Sequence, residues 1–157
     1  TLAEYRALLA TLRARIPGLA VSTDLIAGFP GETEEDFLAT ERFLEEARYD
    51  FAYLFKYSRR EGTKAYRLGE TMDEVEKGRR LTRLIELQER IALEKNRAFV
   101  GREVEVLVEG PARRTEGWVF GKTREFKTAV FPERDHRPGD LARVRIASVT
   151  AHTLRAA

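Results

Sequence analysis

The sequence contains no cysteine, and it has only two histidines among its 157 residues. Without cysteine, these residues offer no disulfide, no thiolate zinc site and no ligand for an iron–sulfur cluster. His136 and His152 are too few and too isolated to predict a metal site, and we interpret each as an ordinary surface or barrel residue. No arrangement of side chains in the sequence indicates a catalytic centre either.

Long hydrophobic runs are also missing. No stretch approaches the roughly 18 apolar residues of a spanning helix, and the first residues, TLAEYRALLATLRARIPG, lack the features of a secretory signal. A composition of 43% hydrophobic and 34% charged residues is typical of a soluble globular protein. We therefore expect a monomeric cytoplasmic protein without a membrane partner.

The net positive charge of the chain lies in its last third. Residues 1–100 hold 17 Lys and Arg against 18 Asp and Glu, whereas residues 101–157 hold 11 against 8. The net charge thus changes from −1 to +3. Such an excess suits a polyanionic partner, but an ordinary soluble surface gives the same count equally well.

The first part of the chain alternates between helical and extended patterns. Apolar residues from Leu2 to Ile16 recur at helical spacing, and Pro17 and Gly18 end this helix. Residues 19–27 are mostly apolar, which is typical of a strand buried on both faces.

A second helix and a second strand follow. Thr33 and Asp36 form a capping-box pattern for the helix, which Asp50 closes before the aromatic strand 51–57. Helix, strand, helix and strand in this order indicate parallel βαβ construction. Because two parallel strands do not form a covered sheet alone, we expect this chain to be the C-terminal piece of a longer protein with a larger α/β barrel.

The next segment links this part to a different kind of domain. Residues 58–70 are predicted as a polar loop, and Thr71 with Glu74 forms a capping-box pattern for a long helix that ends near Phe99. The charged runs GRRLTR and EEAR are interpreted as solvated helix faces.

From Arg102 onward the hydrophobic period changes to two residues. Val104, Val106 and Val108 alternate with polar residues, and several short segments separated by turn glycines follow. The sequence predicts a small antiparallel β-barrel of four or five strands. The fold class is thus α/β plus all-β, with one domain at residues 1–99 and a second at residues 100–157.

The segment GFPGETEEDF stands at the predicted end of the first strand. Gly28 and Gly31 would let the backbone approach a ligand, and the following helix would direct free amides toward it. Acids such as Glu32 would repel a phosphate, so a neutral or cationic ligand fits better. A tight strand-to-helix turn without a ligand explains the same pattern.

Three other positions also have two interpretations. Tyr57 and Ser58 follow the second strand at the same edge, where they form either a ligand-covering loop or a solvated one. Asp24, inside an apolar strand, has either a structural role or a ligand contact.

Aromatic and basic residues interleave in the basic domain. This pattern indicates a surface that holds single-stranded nucleic acid, or equally a strand with aromatics inward and cations outward. The residues concerned are Trp118, Phe120, Lys122, Arg124, Phe126 and Lys127.

A resemblance to a known family covers essentially the whole chain. TDLIAGFPGETEEDF and DFAYLFKYSRREGTKA, with the long helix after them, resemble the last part of the radical S-adenosylmethionine barrel in the methylthiotransferase family. The basic domain resembles the TRAM domain, a small RNA-binding β-barrel at the C-terminus of those enzymes. The resemblance is specific because these landmarks occur in order and at family-like separations.

The resemblance implies a cofactor and two [4Fe-4S] clusters. The family uses S-adenosyl-L-methionine and both clusters to attach a methylthio group, but this chain lacks the cluster cysteines, so we expect it to be inactive alone. The residues that the resemblance places against S-adenosylmethionine are Asp24, Ile26, Gly28, Phe29, Pro30, Gly31 and Glu32, with Phe55, Tyr57 and Ser58 near its adenine.

The resemblance also implies an RNA partner, the anticodon stem-loop of tRNA. The string GWVFGKTREFKTAVFP is most similar to the branch that modifies isopentenyl-adenosine beside the anticodon, with Phe126 where that pattern has Asn. A ribosomal-protein methylthiotransferase and a stand-alone RNA-binding module are the alternatives. The expected phosphate contacts are Lys122, Thr123, Arg124 and Lys127, flanked by Arg113 and Arg114.

Overall fold

A computed structural model describes residues 1–69, 71–113, 115–133 and 135–157. The chain divides into two compact units. One is Val21–Ile91, and the other combines Thr1–Ala20 with Ala92–Ala157. Over the described ranges, no helix is both long enough and apolar enough to span a membrane.

The unit Val21–Ile91 contains the predicted βαβ arrangement. Strands β1 and β2 pair in parallel, with Ser22 opposite Phe51 and Ala27 opposite Lys56, which confirms the parallel connection. The elements of this unit are β1 (Ser22–Ala27), α2 (Glu34–Ala47), β2 (Phe51–Lys56), α3 (Lys64–Arg67) and most of α4 (Glu74–Arg97).

The first capping box is confirmed, whereas the predicted end of α2 is wrong. The Thr33 N–H donates to the Asp36 carboxylate at 3.0 Å, and the Asp36 N–H donates to the Thr33 hydroxyl at 3.1 Å. The helix ends at Ala47, and Arg48 adopts the left-handed conformation that terminates it. Asp50 instead accepts the Val21 N–H at 2.9 Å, fixing the start of β1.

The second predicted capping box, at Thr71 and Glu74, is wrong. Helix α4 begins at Glu74, and the carboxylate of Asp73 accepts the Glu76 N–H at 2.8 Å, because an Asp directly before the helix competes successfully for the capping role. The Thr71 hydroxyl accepts the Gly31 N–H at 2.8 Å instead. The predicted loop before it also contains α3, which Thr63 caps.

Strand β1 is not buried on both faces, contrary to the prediction. Its residues alternate between exposed and more buried positions, and Ile26 is 52% exposed. The described residues therefore cover one face of the two-stranded sheet, and the other face is open.

The charged runs are not simply solvated helix faces. In GRRLTR, Arg80 is buried, and in EEAR, Ala47 is buried. Ion pairs join α2 to α4 along their length. Residues later in α2 pair with residues later in α4, so the two helices run in the same direction. The pairs are Arg80 with Glu34, Arg83 with Glu41 and Arg90 with Glu45.

A close approach explains the first glycine of the turn after β1. Gly28 has φ +76°, and a Cβ there would lie 2.5 Å from Cγ of Lys77, whose side chain is buried. Gly31 has φ +86°, as the turn geometry predicted, but nothing lies within 4 Å of the place its Cβ would occupy. The first glycine is required by packing and backbone, the second by backbone alone.

The other unit contains α1 and a closed five-stranded barrel. Helix α1 (Leu2–Arg15) confirms the predicted first helix. The end of α4 contacts the barrel segment, since the Asn96 amide donates to the carbonyls of Thr150 and Ala151. The strands are β3 (Glu103–Pro111), β4 (Trp118–Thr123), β5 (Thr128–Pro132), β6 (Leu141–Val149) and β7 (Thr153–Ala156).

The barrel is not wholly antiparallel, which corrects the prediction. The strand order is β3-β4-β5-β7-β6, and β5 pairs with β7 in parallel while the remaining pairs are antiparallel. An odd number of strands cannot alternate in direction around a closed circle, so one pair has to be parallel. The predicted inward face of β3 is confirmed, since Val106 and Val108 are buried in the barrel core.

We predict that Gly28→Ala lowers the free energy of unfolding more than Gly31→Ala does. The left-handed backbone costs about 1–2 kcal/mol at either position, and overpacking against Lys77 adds roughly 1–3 kcal/mol at Gly28 only. Urea unfolding followed by circular dichroism measures both variants. Equal midpoints for the two variants would contradict the close approach.

We predict that Glu76 makes the unfolding free energy depend on pH in the acid range. Hydrogen bonds from Arg79 and Arg80 lower the pKa of Glu76 from 4.5 to about 2. Because the folded-state pKa is depressed, this stabilisation is present above pH 4.5 and is lost as the pH falls toward 2.

Glu76→Gln should therefore lose less stability than the parent chain between pH 5 and pH 2 in thermal unfolding. Glu35→Gln is the matched control, since Glu35 is exposed on the same unit and forms no ion pair among the residues described. Parallel curves for Glu76→Gln and the parent would refute the assignment.

Candidate cofactor face and candidate nucleic-acid interface

The open face of the β1–β2 sheet carries four exposed side chains besides Ser22. Asp24 lies opposite Tyr53, and Ile26 lies opposite Phe55, at alternating positions that share one face. Tyr53 and Phe55 are 53% and 52% exposed. We call these four residues the open sheet face. Sequence reasoning missed Tyr53, although its alternation with Phe55 in FAYLFKY was a signal for it.

The Asp24 carboxylate has no partner among the residues that the structure describes. The side chain is exposed and forms no hydrogen bond or ion pair with any residue that the structure describes. A capped or hydrogen-bonded structural role would require such a partner. The geometry therefore favours the ligand-contact interpretation of Asp24.

The turn after β1 satisfies its own amides. The Gly28 N–H donates to the Glu32 carboxylate at 2.8 Å, and the Gly31 N–H donates to Thr71. The Glu32 carboxylate also pairs with the Arg80 guanidinium at 2.8 Å. These amides are thus engaged within the chain, and the expectation that free amides point at a ligand is not met by Gly28 and Gly31.

The aromatic residues beside this turn lie at different depths. Phe29 is 43% exposed, while Tyr57 and Pro30 are buried and Ser58 is exposed. The Tyr57 ring packs edge-on against Phe29 at 5.3 Å between centroids. The Tyr57 hydroxyl is buried without a hydrogen-bond partner among the described residues.

These features fit S-adenosylmethionine but not an iron–sulfur cluster. The exposed Ile26 and Phe55 side chains suit a purine ring, and the Asp24 carboxylate, unpaired among the described residues, suits a cationic group. The chain has no cysteine, and the described residues contain no group of three or more His, Asp or Glu arranged to hold a metal. Cluster ligation does not fit the residues of this chain.

The second candidate site is the turn between β4 and β5, residues 123–127, which we call the hairpin turn. The Thr123 N–H donates to the Lys127 carbonyl, and the Phe126 N–H donates to the Thr123 carbonyl, both at 2.9 Å. Phe126 has φ +60°, a conformation that Asn and Gly adopt more readily than an aromatic residue does. This explains physically why Asn was expected at that position.

The predicted phosphate contacts in this segment differ in their surroundings. The Lys122 ammonium donates to the Thr128 hydroxyl at 2.8 Å and lies 4.7 Å from the Phe126 ring centroid. Arg124 is exposed but pairs with Glu105 at 2.7 Å. Lys122 is therefore a cation without a carboxylate partner in the described part of the barrel, whereas Arg124 has one.

The remaining predicted contacts are divided between the interior and the surface. Thr123 and Lys127 are each only 6% exposed, and the Thr123 hydroxyl accepts the Lys127 N–H at 3.2 Å. Their positions support the hairpin turn itself. Arg113 is exposed, and Arg114 lies outside the described residues.

The orientation of the β4 side chains decides between the two interpretations of the interleaved aromatic and basic residues. Val119, Gly121 and Thr123 are its buried residues, so Trp118 and Phe120 share the outward face with Lys122. The interpretation with aromatics inward and cations outward is wrong. The structure instead places two half-buried aromatic rings and a half-buried cation on one outward face, as a stacking interface requires.

Comparison with known proteins supports both resemblances found in the sequence, that of the basic domain and that of the whole chain. Residues 97–157 match the TRAM domain family. The whole chain is similar to proteins named tRNA-2-methylthio-N(6)-dimethylallyladenosine synthase. The identity is 47% over 96% of this chain for Chlorobium phaeobacteroides, 45% over 98% for Chlorobium luteolum and 43% over 96% for Methylacidiphilum infernorum.

The chain spans about a third of the length of these curated relatives, between 32% and 34%. The matched region is the C-terminal part of those enzymes. The match confirms the resemblance found in the sequence: this chain is similar to the C-terminal part of those synthases, and its residues 97–157 belong to the TRAM domain family.

Proposed function

We propose that this chain supplies RNA binding and part of the S-adenosylmethionine pocket to a tRNA methylthiotransferase acting on isopentenyl-adenosine in the anticodon loop. The observation that carries this proposal is the 43–47% identity to the tRNA-modifying relatives over nearly the whole chain, including the TRAM domain. An enzyme of this class acts on tRNA, so the proposed location is the cytoplasm.

The α/β part has the features of an incomplete parallel barrel. In the described part of the chain the sheet has two parallel strands, and Ile26 and Phe55 are exposed apolar side chains on one of its faces. Exposed apolar area of this kind is costly unless other elements cover it. We infer that residues 1–99 belong to a larger (β/α) barrel, and that residues 100–157 form the RNA-binding domain.

The open sheet face is the proposed part of the cofactor pocket. S-adenosylmethionine would supply the radical when bound with an iron–sulfur cluster, and the cluster ligands would come from residues outside this chain. Here Asp24 would pair with a cationic group of the cofactor, and Phe55 and Ile26 would contact its flat apolar part. The chain alone would therefore bind weakly and would not turn over.

Transfer RNA is favoured over a ribosomal protein as the substrate. The compared relatives are named for a tRNA nucleoside. The barrel segment is net positive, which suits a phosphate backbone better than it suits the basic surface of a ribosomal protein.

In the complete enzyme, Asp24→Asn should weaken S-adenosylmethionine binding about tenfold or more, because a charge-assisted contact becomes a neutral one. Equilibrium dialysis with labelled cofactor measures this change. The unfolding midpoint should stay the same, since the carboxylate has no partner in the described structure.

Glu35→Gln provides a matched loss of one exposed carboxylate in the same unit, and it should bind the cofactor as the parent does. Unchanged cofactor affinity in Asp24→Asn would remove Asp24 from the pocket.

Lys122→Ala should weaken binding of the chain to an anticodon stem-loop RNA. The expected effect is a decrease of about one in the slope of the logarithm of affinity against the logarithm of salt concentration, because one phosphate contact is lost. Fluorescence anisotropy at several salt concentrations gives the slope.

Arg90→Ala removes the same charge from α4, where Arg90 is paired with Glu45, and it should leave the slope unchanged. If Lys122→Ala and Arg90→Ala have the same slope, Lys122 does not contact RNA.

A further inference from the structure

One side of the barrel has its outward charges compensated. On the paired strands β3 and β6, Glu103 lies opposite Arg145 and Glu105 lies opposite Arg143. The Arg124 guanidinium also reaches Glu105. Cations on this side are therefore adjacent to carboxylates, which reduces their attraction for a polyanion.

The outward side of β4, β5 and β7 is different. Phe120 lies opposite Val130 on β5, and Val130 lies opposite Arg155 on β7, so one row crosses all three strands. The Arg155 guanidinium lies over the Trp118 ring, 4.0 Å from its centroid. We call Trp118, Phe120, Lys122, Phe126 and Arg155 the stacking face.

The two cations of the stacking face rest on aromatic rings instead of carboxylates. Lys122 lies over Phe126 and Arg155 lies over Trp118. Neither cation has an ion pair within the part of the chain that the structure describes. Their charges therefore remain available to an anionic partner, while the rings hold them in position.

The geometry of Arg155 suits a nucleotide base. A guanidinium is planar, and its Cζ lies 4.0 Å from the Trp118 ring centroid. A guanidinium stacked on the indole would present its other face to a base. Phe126 offers a second flat surface, because it is 55% exposed. Trp118 and Lys122 are four residues apart on β4, roughly 13 Å along a strand, which leaves room for more than one nucleotide.

We propose that the stacking face binds unpaired nucleotides of the RNA, with the Arg155–Trp118 pair as a platform for a base and Lys122 as a phosphate contact. This inference rests on the proposed RNA-binding function and assigns it to one side of the barrel. Bases in a duplex are stacked on one another and do not expose their faces, so the stacking face selects loops over paired stems.

The single tryptophan of the chain provides a direct test, since Trp118 is the only source of indole fluorescence. Titration of the 157-residue chain with an anticodon stem-loop RNA should quench this fluorescence as the RNA binds. A fully paired duplex of the same stem, without the loop, should bind more weakly and quench little.

Arg155→Ala should weaken binding of the stem-loop about tenfold or more, as the loss of one stacked base predicts. Arg143→Ala is the matched control, because it removes the same charge from β6, where Arg143 lies opposite Glu105, and its affinity should stay near that of the parent. Arg155→Lys keeps the positive charge but lacks the planar guanidinium. It should therefore show the same dependence of affinity on salt concentration as the parent and still bind the stem-loop more weakly.

The outcomes separate this inference from the function on which it rests. Salt-dependent RNA binding with unchanged Trp118 fluorescence, and equal affinities for Arg155→Ala and Arg143→Ala, would overturn the stacking face but leave RNA binding in place. Absence of RNA binding by the parent chain would overturn both. If Arg155→Ala is found unfolded by circular dichroism, the comparison of Arg155→Lys with Arg143→Ala decides the question.

Discussion

The buried guanidinium of Arg80 is the interaction on which the α/β unit depends. A charge removed from water has to be paired and hydrogen-bonded, or it is strongly destabilising. Arg80 meets this requirement through the carboxylates of Glu32, Glu34 and Glu76, and through the Thr33 carbonyl at 3.0 Å. Helix α4 is thereby fixed against the turn that follows β1.

This constraint determines what the turn can offer a ligand. Glu32 accepts hydrogen bonds from both Arg80 and the Gly28 N–H, so its carboxylate and that amide are already engaged. The buried stem of Lys77 fills the space beside Gly28. The proposed ligand contacts of this edge therefore lie with the open sheet face and with Phe29, whereas Glu32, Glu34 and Asp36 are engaged in contacts within the chain.

Local features of the fold were predictable from the sequence, and features that depend on distant residues were not. The first helix, the Thr33–Asp36 capping box, the positive φ of Gly31 and the inward valines of β3 follow from short-range rules. The parallel β5–β7 pair follows from closing an odd number of strands, which a period-two pattern does not encode. The burial of Arg80 was missed because a basic run on a helix usually faces water.

In the candidate sites, too, individual residues were predictable from the sequence, whereas contacts between distant residues were not. Asp24, Ile26 and Phe55 were predicted and share the open sheet face, but the pairing that also brings Tyr53 there depends on strand register. Lys122 and Phe126 were predicted and lie together. The contact between Arg155 and Trp118 joins two strands far apart in sequence, and no local pattern indicates it.

If the stacking face binds RNA, the barrel recognises RNA on one side, separately from the open sheet face. The most direct test is an amide chemical-shift map of the isotope-labelled chain, recorded during titration with an anticodon stem-loop RNA. Binding at the stacking face should shift the amides of residues 118–130 and 153–156 and leave the amides of β1 and β2 unchanged. Shifts confined to β1 and β2, or to β3 and β6, would contradict it.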